Sequence, residues 1–286
     1  MKKSTWLHLR IPFSYFLMPV FLFAMAVAPD LGLVEGVMVF VILHVLVYPA
    51  SNGYNSYFDK DEQSIGGLKH PPKVSKELYV VSLILDAFAL LLGCILSTEF
   101  VLMVLVYGII SKAYSHPMTR LKKYPIYGWL AAGVFQGYFT FLTCLVGFGL
   151  PTADMWDIQY QIPAILSSLL LFGSYPMTQV YQHEEDQKRG DITISIKLGV
   201  LGTFHFAAIF FFFSVNLFAY YFLSSYSQHL ATFFLVLLTP VLIYFGNWYF
   251  KVRKDLSEAD FDRTMRLNMI SATCFNLFFI SWYLFF

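Results

Sequence analysis

The sequence predicts an all-α membrane protein, a polytopic bundle of about nine transmembrane helices that forms one domain over residues 1–286. Three observations predict this class: the composition is strongly apolar, long apolar segments recur along the chain, and basic residues occur only in alternate connections. Hydrophobic residues make up 58% of the chain and charged residues only 13%, with a mean hydropathy of +0.62. Soluble proteins carry about 25% charged residues, so this composition argues against a soluble enzyme, a disordered chain or a disulfide scaffold.

Each predicted helix is an apolar segment of about 20 residues, the length that a bilayer core of about 30 Å requires. Backbone groups cannot stay unpaired in lipid, so such segments form helices or barrel strands. Barrel strands would alternate apolar and polar residues, whereas runs such as Val101–Val106 and Phe210–Phe213 are uniformly apolar. The predicted helices cover residues 12–29, 34–58, 78–97, 99–116, 125–148, 161–183, 199–224, 228–250 and 264–286.

The first of these helices has a second interpretation. Lys2, Lys3 and Arg10 precede an apolar stretch that contains Ala-Met-Ala at 24–26, a pattern that is also typical of a cleaved signal peptide. Pro19 and the long N-terminal polar segment fit a retained helix at least as well. We therefore expect the helix to be retained; cleavage would leave eight spans in the same orientation.

The distribution of charge supports this arrangement of spans. All 19 Lys and Arg residues lie in the N-terminal segment or in the second, fourth, sixth and eighth connections. By the positive-inside rule, the N-terminus lies in the cytoplasm and the C-terminus outside. The net charge of +1 is therefore the sum of a basic cytoplasmic side and an acidic opposite side. We expect the protein in the bacterial inner membrane. The acids on the opposite side are Asp30, Glu35, Glu99, Asp154 and Asp157.

A single acid, Asp86, falls inside the third predicted helix. Ionisable residues within the membrane are often functional, but Asp86 could equally pair with a serine or tyrosine of a neighbouring helix. We therefore leave it outside the predicted site. Cys94, Cys144 and Cys274 lie in apolar segments without CxxC spacing and are predicted to be small core residues.

The first polar cluster follows the second predicted helix. Asn52, Asn55 and Asp59 recur at helical spacing, which places them on one face if the helix continues to this point. Asp61 and Glu62 come directly after them. Polar groups where a helix leaves the bilayer usually face a cavity or the interior of the bundle, so this cluster is a candidate site.

The second polar cluster repeats this spacing at the end of the sixth predicted helix, with Gln179, Gln182 and Asp186, and Glu185 lies next to Asp186. Two carboxylate clusters on one membrane side suit Mg²⁺, which takes oxygen ligands and is often held by carboxylates and substrate phosphates. A diphosphate could bind there while its lipid tail enters the membrane. The alternative is that both clusters are solvated loop acids.

The fourth connection supplies basic residues that complement a diphosphate. Arg pairs bidentately with phosphate, and Lys acts as a point charge. Lys112 and Arg120 flank a turn that begins at Tyr114 and are the stronger candidates. For Lys122 and Lys123, contact with anionic lipid headgroups explains a basic loop equally well.

These three segments resemble the UbiA superfamily of intramembrane prenyltransferases, which has nine helices and aspartate-rich motifs after helices two and six. Asn55 and Asp59 match the first motif, whereas Ser56 and Gln63 stand where the family has aspartates. In the second motif Gln182 replaces the first aspartate. The residues that match the second motif are Asp186, Gly190, Thr193, Leu198 and Gly199. The segment from Tyr114 to Lys122 is similar to the family's loop after helix four.

The resemblance implies a Mg²⁺-dependent enzyme that transfers a polyprenyl group from a prenyl diphosphate to an aromatic, quinone-precursor-like or other lipophilic acceptor within the membrane. The metal ligands it implies are Asn55, Asp59, Asp61, Glu62, Gln182, Glu185 and Asp186. The catalytic residues it implies are Asp59, Asp186, Lys112 and Arg120. The residues it implies for the diphosphate are Asn55, Tyr114, Lys122, Gln182 and Lys188. Membrane lipids are expected neighbours, and a nucleic-acid partner is not expected.

Two other functions stay open at this point. A transporter would place its polar groups near the membrane midplane, but here they concentrate at the helix ends, which favours the enzyme. A family member that binds prenyl lipids without catalysis would explain Ser56, Gln63 and Gln182. Hydroxybenzoate or dihydroxynaphthoate is the acceptor that the family suggests first, and chlorophyllide, haem or a glycerol phosphate lipid are alternatives.

Overall fold

A computed structural model describes residues 1–28 and 31–286. Asp30, which the charge analysis assigns to the opposite membrane side, lies outside the described residues. Over the described ranges the chain is helical and has no β-strand, which confirms the predicted fold class. The α-helices are α1 Lys3–Leu9, α2 Met18–Val27, α3 Leu33–Phe40, α4 Tyr48–Asp59, α5 Glu77–Gly93, α6 Thr98–Ser115, α7 Pro125–Gly133, α8 Thr140–Gly147, α9 Ile158–Ser174, α10 His183–Arg189, α11 Ile194–Ser225, α12 Gln228–Val252 and α13 Phe261–Phe285.

Two π-helical segments and several short 3₁₀ helices connect these elements. The π segments Val41–Val47 and Val134–Phe139 join α3 to α4 and α7 to α8, so each pair is one continuous rod. The 3₁₀ helices are Ile11–Phe16, Leu121–Lys123, Asp154–Trp156, Tyr175–Gln179 and Leu256–Glu258.

Six rods in the described ranges are long and apolar enough to cross a membrane, and a seventh is added if Lys3–Phe16 and Met18–Val27, which meet at 44°, form one span. The rods are Leu33–Asp59, Thr98–Ser115, Pro125–Gly147, Ile194–Ser225, Gln228–Val252 and Phe261–Phe285. Helices α5 and α9 occupy the third and sixth predicted positions but have only 17 residues each. The protein is therefore an integral membrane protein, while the number of nine spans stays a prediction.

Side-chain caps explain where several of these helices begin. The hydroxyl of Ser97 accepts a hydrogen bond from the Phe100 amide at 3.0 Å and starts α6. Ser227 does the same for α12 at 3.1 Å, and Asp260 starts α13 at 2.8 Å. Because the first amides of a helix have no partner within it, such caps fix its start.

The π segment Val134–Phe139 has an identifiable cause in α9. Ser168 Oγ donates to the Gly133 carbonyl at 2.8 Å and accepts from the Tyr138 amide at 2.9 Å, so it compensates for the interrupted backbone pattern. Gly137 allows this approach, since a Cβ there would lie 2.6 Å from the Ser168 backbone. The two rods therefore pack closely at this point.

Aromatic side chains fill much of the core. Phe23 stacks on Phe279 with 4.6 Å between ring centroids, and Phe222 packs edge-on against Trp282 at 5.3 Å. These rings join α2, α11 and α13 in the apolar core.

Candidate active site

Three separate segments bring charged side chains together. These segments are the C-terminal end of α4 with the residues after it, the loop after α6, and α10 with the turn that follows. Asp59, Asp186, Asp191 and Lys122 are all buried, with between 1% and 8% of each residue exposed. Lys and Asp are almost never buried unless they are paired, so these side chains must be understood as a network.

The first half of the network centres on Arg120. Its Nε and Nη2 each donate to one carboxylate oxygen of Asp191 at 2.7 Å. Nη2 also lies 3.2 Å from Asp59 Oδ1, and Lys122 forms an ion pair with the other oxygen of Asp59. Arg120 adopts a left-handed backbone conformation (φ 34°) that closes the turn after α6. The turn therefore points both basic side chains at the acids of the other two segments.

The second half of the network centres on Arg189, at the end of α10. Its Nη2 donates to Asp186 Oδ1 at 2.8 Å, its Nη1 pairs with Asp61, and its Nε lies 3.6 Å from Asp191 Oδ2. Gly190 ends the helix with φ 74°, a conformation that glycine adopts without strain. This ending places Asp191 between the two arginines, so the three segments form one connected network of four acids and three bases.

The two acids of the α10 segment have opposite pKa shifts. Burial is the main cause that raises the pKa of Asp186 to about 7; the charge of Lys122 opposes this shift, and the charges of Asp191 and Asp59 add to it. Burial would also raise the pKa of Asp191, but the hydrogen bonds from Arg120 and the charges of Lys122, Arg120 and Arg189 together outweigh burial, so this pKa is lowered. Asp186 is consequently easier to protonate near neutral pH than Asp191.

The network opens onto a cavity of about 210 Å³. Seven of the predicted site residues line it: Asn55, Asp59, Asp61, Tyr114, Lys122, Gln182 and Asp186. Arg120 does not line the cavity, but it contacts two of the lining residues, Asp59 and the backbone carbonyl of Ser115. The structure therefore brings most of the predicted residues to one place, although their roles stay predictions.

Lys112 is the predicted catalytic residue that the structure separates from the others. It forms an ion pair with Asp86 of α5 at 2.5 Å and lies 5.4 Å from the Tyr54 ring centroid. Helix α6 turns about 100° per residue, so Tyr114 and Ser115 face the cavity while Lys112 faces α5. The pairing also gives Asp86 a charged partner, rather than the serine or tyrosine that the sequence suggested.

Three further predicted residues lie at or beyond the edge of the site. Lys188 is exposed and pairs with Glu184 at 2.7 Å along the surface of α10. Glu62 is exposed, and its backbone amide donates to Glu185 Oε1 at 3.3 Å. Glu185 lies 4.0 Å from Arg189 and does not line the cavity. These three residues therefore lie outside the cavity wall, and their predicted roles stay predictions.

Three residues of the site were given no role by the sequence interpretation: Arg10, Arg189 and Asp191. Arg10 donates to the carbonyls of Gly66 at 3.1 Å and Asn52 at 3.2 Å and lines the cavity. The spacing of Asp186 and Arg189 at i and i+3 is a signal that could have identified Arg189. Nothing in the local sequence around Arg10 indicates its contacts, because they depend on the fold.

The cavity offers hard oxygen ligands for a metal. Asn55 donates its amide hydrogen to Ser115 Oγ at 2.7 Å, which leaves its carbonyl oxygen available as an acceptor. Asp59, Asp61 and Asp186 line the same cavity, and no thiol or imidazole does so among the described residues. Within residues 1–28 and 31–286 no three acids, histidines or cysteines are already grouped around a common metal position. The donor set fits Mg²⁺, while the carboxylates are held by basic side chains.

A second cavity of about 180 Å³ adjoins the first. Most of its wall is apolar, with side chains such as Leu170, Met177 and Phe275. The residues that line both cavities are Phe13, Asn52, Gln136, Tyr175 and Thr178. A charged compartment thus joins an apolar one, and the five shared residues, called the junction below, mark the boundary.

Comparison with known proteins gives this site a context. The model of the UbiA prenyltransferase family matches residues 16–270. A solved UbiA homologue from Archaeoglobus fulgidus, bound to DMAPP and Mg²⁺, has 18% sequence identity and a TM-score of 0.70, covering 99% of this chain and 100% of that one. A UbiA homologue from Aeropyrum pernix K1, solved in the apo form, has 16% identity and a TM-score of 0.72, with 94% and 98% covered.

A structure of digeranylgeranylglyceryl phosphate synthase is also similar, with 19% identity, a TM-score of 0.62 and 98% of each chain covered. No curated protein sequence shows significant similarity to the chain. At such low identities the structural matches demonstrate a shared fold, and the family model supplies the assignment.

Proposed function

This chain belongs to the UbiA prenyltransferase family, and we propose that it transfers a polyprenyl group from a prenyl diphosphate to a lipophilic acceptor within the membrane. The observation that carries the proposal is the junction of a charged cavity with an apolar one. A prenyl diphosphate has the same two parts, a strongly charged head and an apolar chain. In the proposed orientation the charged cavity faces the cytoplasm.

Basic side chains of the charged cavity can bind the diphosphate oxygens. Arg10, Lys122 and Arg189 reach the cavity from three different segments of the chain. Lys122 and Arg189 neutralise Asp59, Asp61 and Asp186 in the free protein. The cavity thus has both the cations that hold phosphate oxygens and the acids that can hold a metal.

The proposed metal ligands are Asn55, Asp59, Asp61 and Asp186. The structure of an A. fulgidus homologue bound to GPP and Mg²⁺ supports the use of Mg²⁺ with a prenyl diphosphate. When bound, Mg²⁺ would supply positive charge that stabilises the departing diphosphate. The side chains of this protein orient the head group in the charged cavity and direct the prenyl chain past the junction into the apolar cavity.

The proposed reaction exchanges one bond for another. A nucleophilic atom of the acceptor forms a bond to C1 of the prenyl group, and the bond from C1 to the diphosphate oxygen breaks. Its electron pair leaves with the diphosphate, and the proton displaced from the acceptor passes to that diphosphate. Phe13 and Tyr175 at the junction offer aromatic faces to positive charge on C1 and help to exclude water.

One observation favours a second candidate function, binding of a prenyl lipid without turnover. Gln182, which stands in place of a motif aspartate, donates its side-chain amide to the Ser64 carbonyl at 3.2 Å, and buried Ser56 has no carboxylate to offer. Fewer acids would weaken metal binding. The enzyme proposal requires that Asp59, Asp61 and Asp186 are sufficient.

An assay of prenyl transfer in lipid nanodiscs tests the proposal. Labelled geranyl and geranylgeranyl diphosphates are supplied with a panel of phenols and lipid alcohols, with Mg²⁺ or with a chelator. We expect transfer that needs Mg²⁺ and that falls at least about 100-fold in Asp59→Asn. Asp157→Asn is the matched control, because Asp157 is exposed at the opposite end of α9. Donor binding without transfer to any acceptor would support the second candidate instead.

A further inference from the structure

A pair of phenylalanines separates the apolar cavity from a third cavity beside it. This third cavity, called the lateral cavity below, has a volume of about 450 Å³ and lies between the N-terminal segment and α13. Phe13 and Phe16 line both cavities, so their rings form a wall that the two cavities share. Trp6 and Met269 at the lateral cavity are 55% and 50% exposed, so this cavity opens to the outside of the bundle.

The local sequence explains why the two rings of this wall lie together. Phe13 and Phe16 are three residues apart in the 3₁₀ helix Ile11–Phe16, and side chains at this spacing lie above one another in a helix with three residues per turn. Their ring centroids are 5.1 Å apart and the rings are nearly perpendicular, an arrangement that aromatic pairs favour. The wall is therefore built by one short helix.

Phe13 is also part of the charged cavity, whereas Phe16 is not. The Arg10 guanidinium lies 5.6 Å from the Phe13 ring centroid, and a Cβ added to Gly66 would lie 2.7 Å from the same ring. Gly67 has φ 84°, which glycine adopts without strain, and this turn brings the loop backbone against Phe13. Phe16 is consequently the residue of the wall that can be changed without disturbing the charged cavity.

Buried aromatic rings close the apolar cavity toward the middle of the bundle. Phe275 of α13 lines the cavity, and its ring centroid lies 6.0 Å from that of Phe234 and 6.2 Å from that of Phe218. All three side chains are almost completely buried. Protein interiors are packed as densely as organic crystals, so a ligand that fills the cavity cannot extend past these rings without displacing them.

The volume of the apolar cavity limits the length of the prenyl chain that it can hold. An apolar protein cavity of about 150 Å³ holds one benzene molecule. By that measure, the apolar cavity of about 180 Å³ holds roughly seven carbon atoms. A geranyl group fits this volume when its first carbon atoms lie at the junction, beside the diphosphate. Farnesyl and geranylgeranyl groups do not fit, since each further isoprene unit adds five carbon atoms and needs roughly 125 Å³ more.

We infer that Phe16 sets an upper limit on the length of the prenyl donor, and that geranyl diphosphate is the longest donor that this protein binds well. The inference rests on the proposed function and names the donor class of the same site. The apolar cavity holds the geranyl chain, and the Phe16 ring prevents a longer chain from entering the lateral cavity. Removal of this ring joins cavities of about 180 and 450 Å³, which together have room for a geranylgeranyl group.

Competition binding to the full chain in nanodiscs with Mg²⁺ tests the inference without an acceptor. Unlabelled geranyl, farnesyl and geranylgeranyl diphosphates displace labelled geranyl diphosphate, which gives the affinity of each donor. We expect wild type to bind the farnesyl and geranylgeranyl donors at least about 10-fold more weakly than the geranyl donor, because the extra carbon atoms overpack the cavity.

Phe16→Ala should shift this preference toward long donors. The affinity for geranylgeranyl diphosphate relative to geranyl diphosphate should rise at least about 10-fold over wild type. Comparison of the same two donors in both proteins cancels their different partition into the bilayer. Met265→Ala is the matched control, because Met265 lines only the lateral cavity of the three and its truncation leaves the wall intact. Phe16→Leu replaces Phe16→Ala if the latter does not fold, and it should shift the ratio in the same direction.

The outcomes distinguish the inference from the proposed function. If wild type binds geranylgeranyl diphosphate as tightly as geranyl diphosphate, the cavity does not limit the donor and the inference is wrong. If the variant at Phe16 keeps the wild-type preference, or if Met265→Ala changes the preference equally, Phe16 does not set the limit. In each of these cases a donor still binds and the proposed function stands. Failure of every donor to bind wild type contradicts the proposed function itself.

Discussion

Arg120 donates to both carboxylate oxygens of Asp191, from Nε and from Nη2, at 2.7 Å in each case. The same Nη2 lies 3.2 Å from Asp59, so one guanidinium joins the loop after α6 to α4 and to the end of α10. The three segments that form the charged cavity are therefore connected through a single planar group. This arrangement makes Arg120 a positioning residue behind the cavity rather than a residue of its wall.

Arg120→Lys should impair donor binding without removing a charge. A lysine cannot form the two parallel hydrogen bonds to Asp191, so Asp59 and Asp191 lose their fixed positions. We expect the KM for the prenyl diphosphate to rise about 10-fold, within the range measured for residues that orient metal ligands. Arg253→Lys, at an exposed arginine beyond α12, is the control. If the donor KM is unchanged both in Arg120→Lys and in the control, the paired hydrogen bonds from Arg120 to Asp191 do not contribute to donor binding.

Lys188 and Arg189 are adjacent in α10, but only Arg189 lines the charged cavity. The motif resemblance assigns the diphosphate to Lys188, whereas the structure directs Arg189 into the cavity and leaves Lys188 on the surface. Arg189→Ala should raise the donor KM about 10- to 100-fold, because it removes a cation and leaves buried acids unpaired. Lys188→Ala should change it by less than about twofold. The reverse order of effects, measured by transfer kinetics at constant ionic strength, would mean that α10 is rotated in the working enzyme.

The pH dependence of metal binding follows from Asp186. Its pKa is raised to about 7, so the carboxyl is mostly protonated at pH 6 and mostly ionised at pH 8. Metal binding has to displace that proton, and apparent Mg²⁺ affinity should fall about 10-fold between pH 8 and pH 6. The diphosphate also titrates near this range, so the measurement is repeated with Asp186→Asn. The part of the pH dependence that disappears in this variant is due to Asp186. If wild type and Asp186→Asn show the same pH dependence, the assignment of this titration to Asp186 is contradicted.

The ion pair between Lys112 and Asp86 is predicted to serve stability rather than catalysis. Both side chains are about four-fifths buried, and removing one partner of a buried pair costs about 3 kcal/mol. Lys112→Met should therefore lower the free energy of unfolding, and Lys112→Met combined with Asp86→Leu should restore most of it. Thermal unfolding in nanodiscs measures this cycle. Specific activity of the folded fraction should stay within about twofold of wild type, and a large loss of activity in both variants would return Lys112 to the catalytic site.

The sequence could predict those parts of the structure that depend on periodic patterns. Apolar runs and alternate basic connections locate the helices, because bilayer thickness sets their length and the membrane potential and insertion machinery sort their flanking charges. The convergence of Asn55, Asp59, Gln182 and Asp186 at one cavity also agrees with the spacing argument. These patterns depend on hydropathy, charge and helical spacing within short segments, so they can be recognised without knowledge of the fold.

The rest of the site depends on tertiary geometry. Whether Lys112 or Ser115 faces the cavity depends on the rotation of α6 about its axis, and the helices that pack against α6 set this rotation. Arg10 reaches the cavity because the fold places it against the Asn52 carbonyl, which lies 42 positions further along the chain. The neutralisation of Asp59 by Lys122 likewise joins residues that are far apart in sequence. Motif matching identifies acids, but it does not show which base holds each acid.

Equilibrium binding of labelled geranyl diphosphate to the protein in nanodiscs, titrated with Mg²⁺, tests the central claim most directly. Asp59→Asn and Asp186→Asn are compared with wild type and with Asp157→Asn. We predict that wild type and the control bind the donor only when Mg²⁺ is present, and that each site variant weakens this binding at least about 10-fold. Donor binding that is independent of Mg²⁺ and equal in all four proteins would contradict the assignment of the charged cavity as the site for metal and diphosphate.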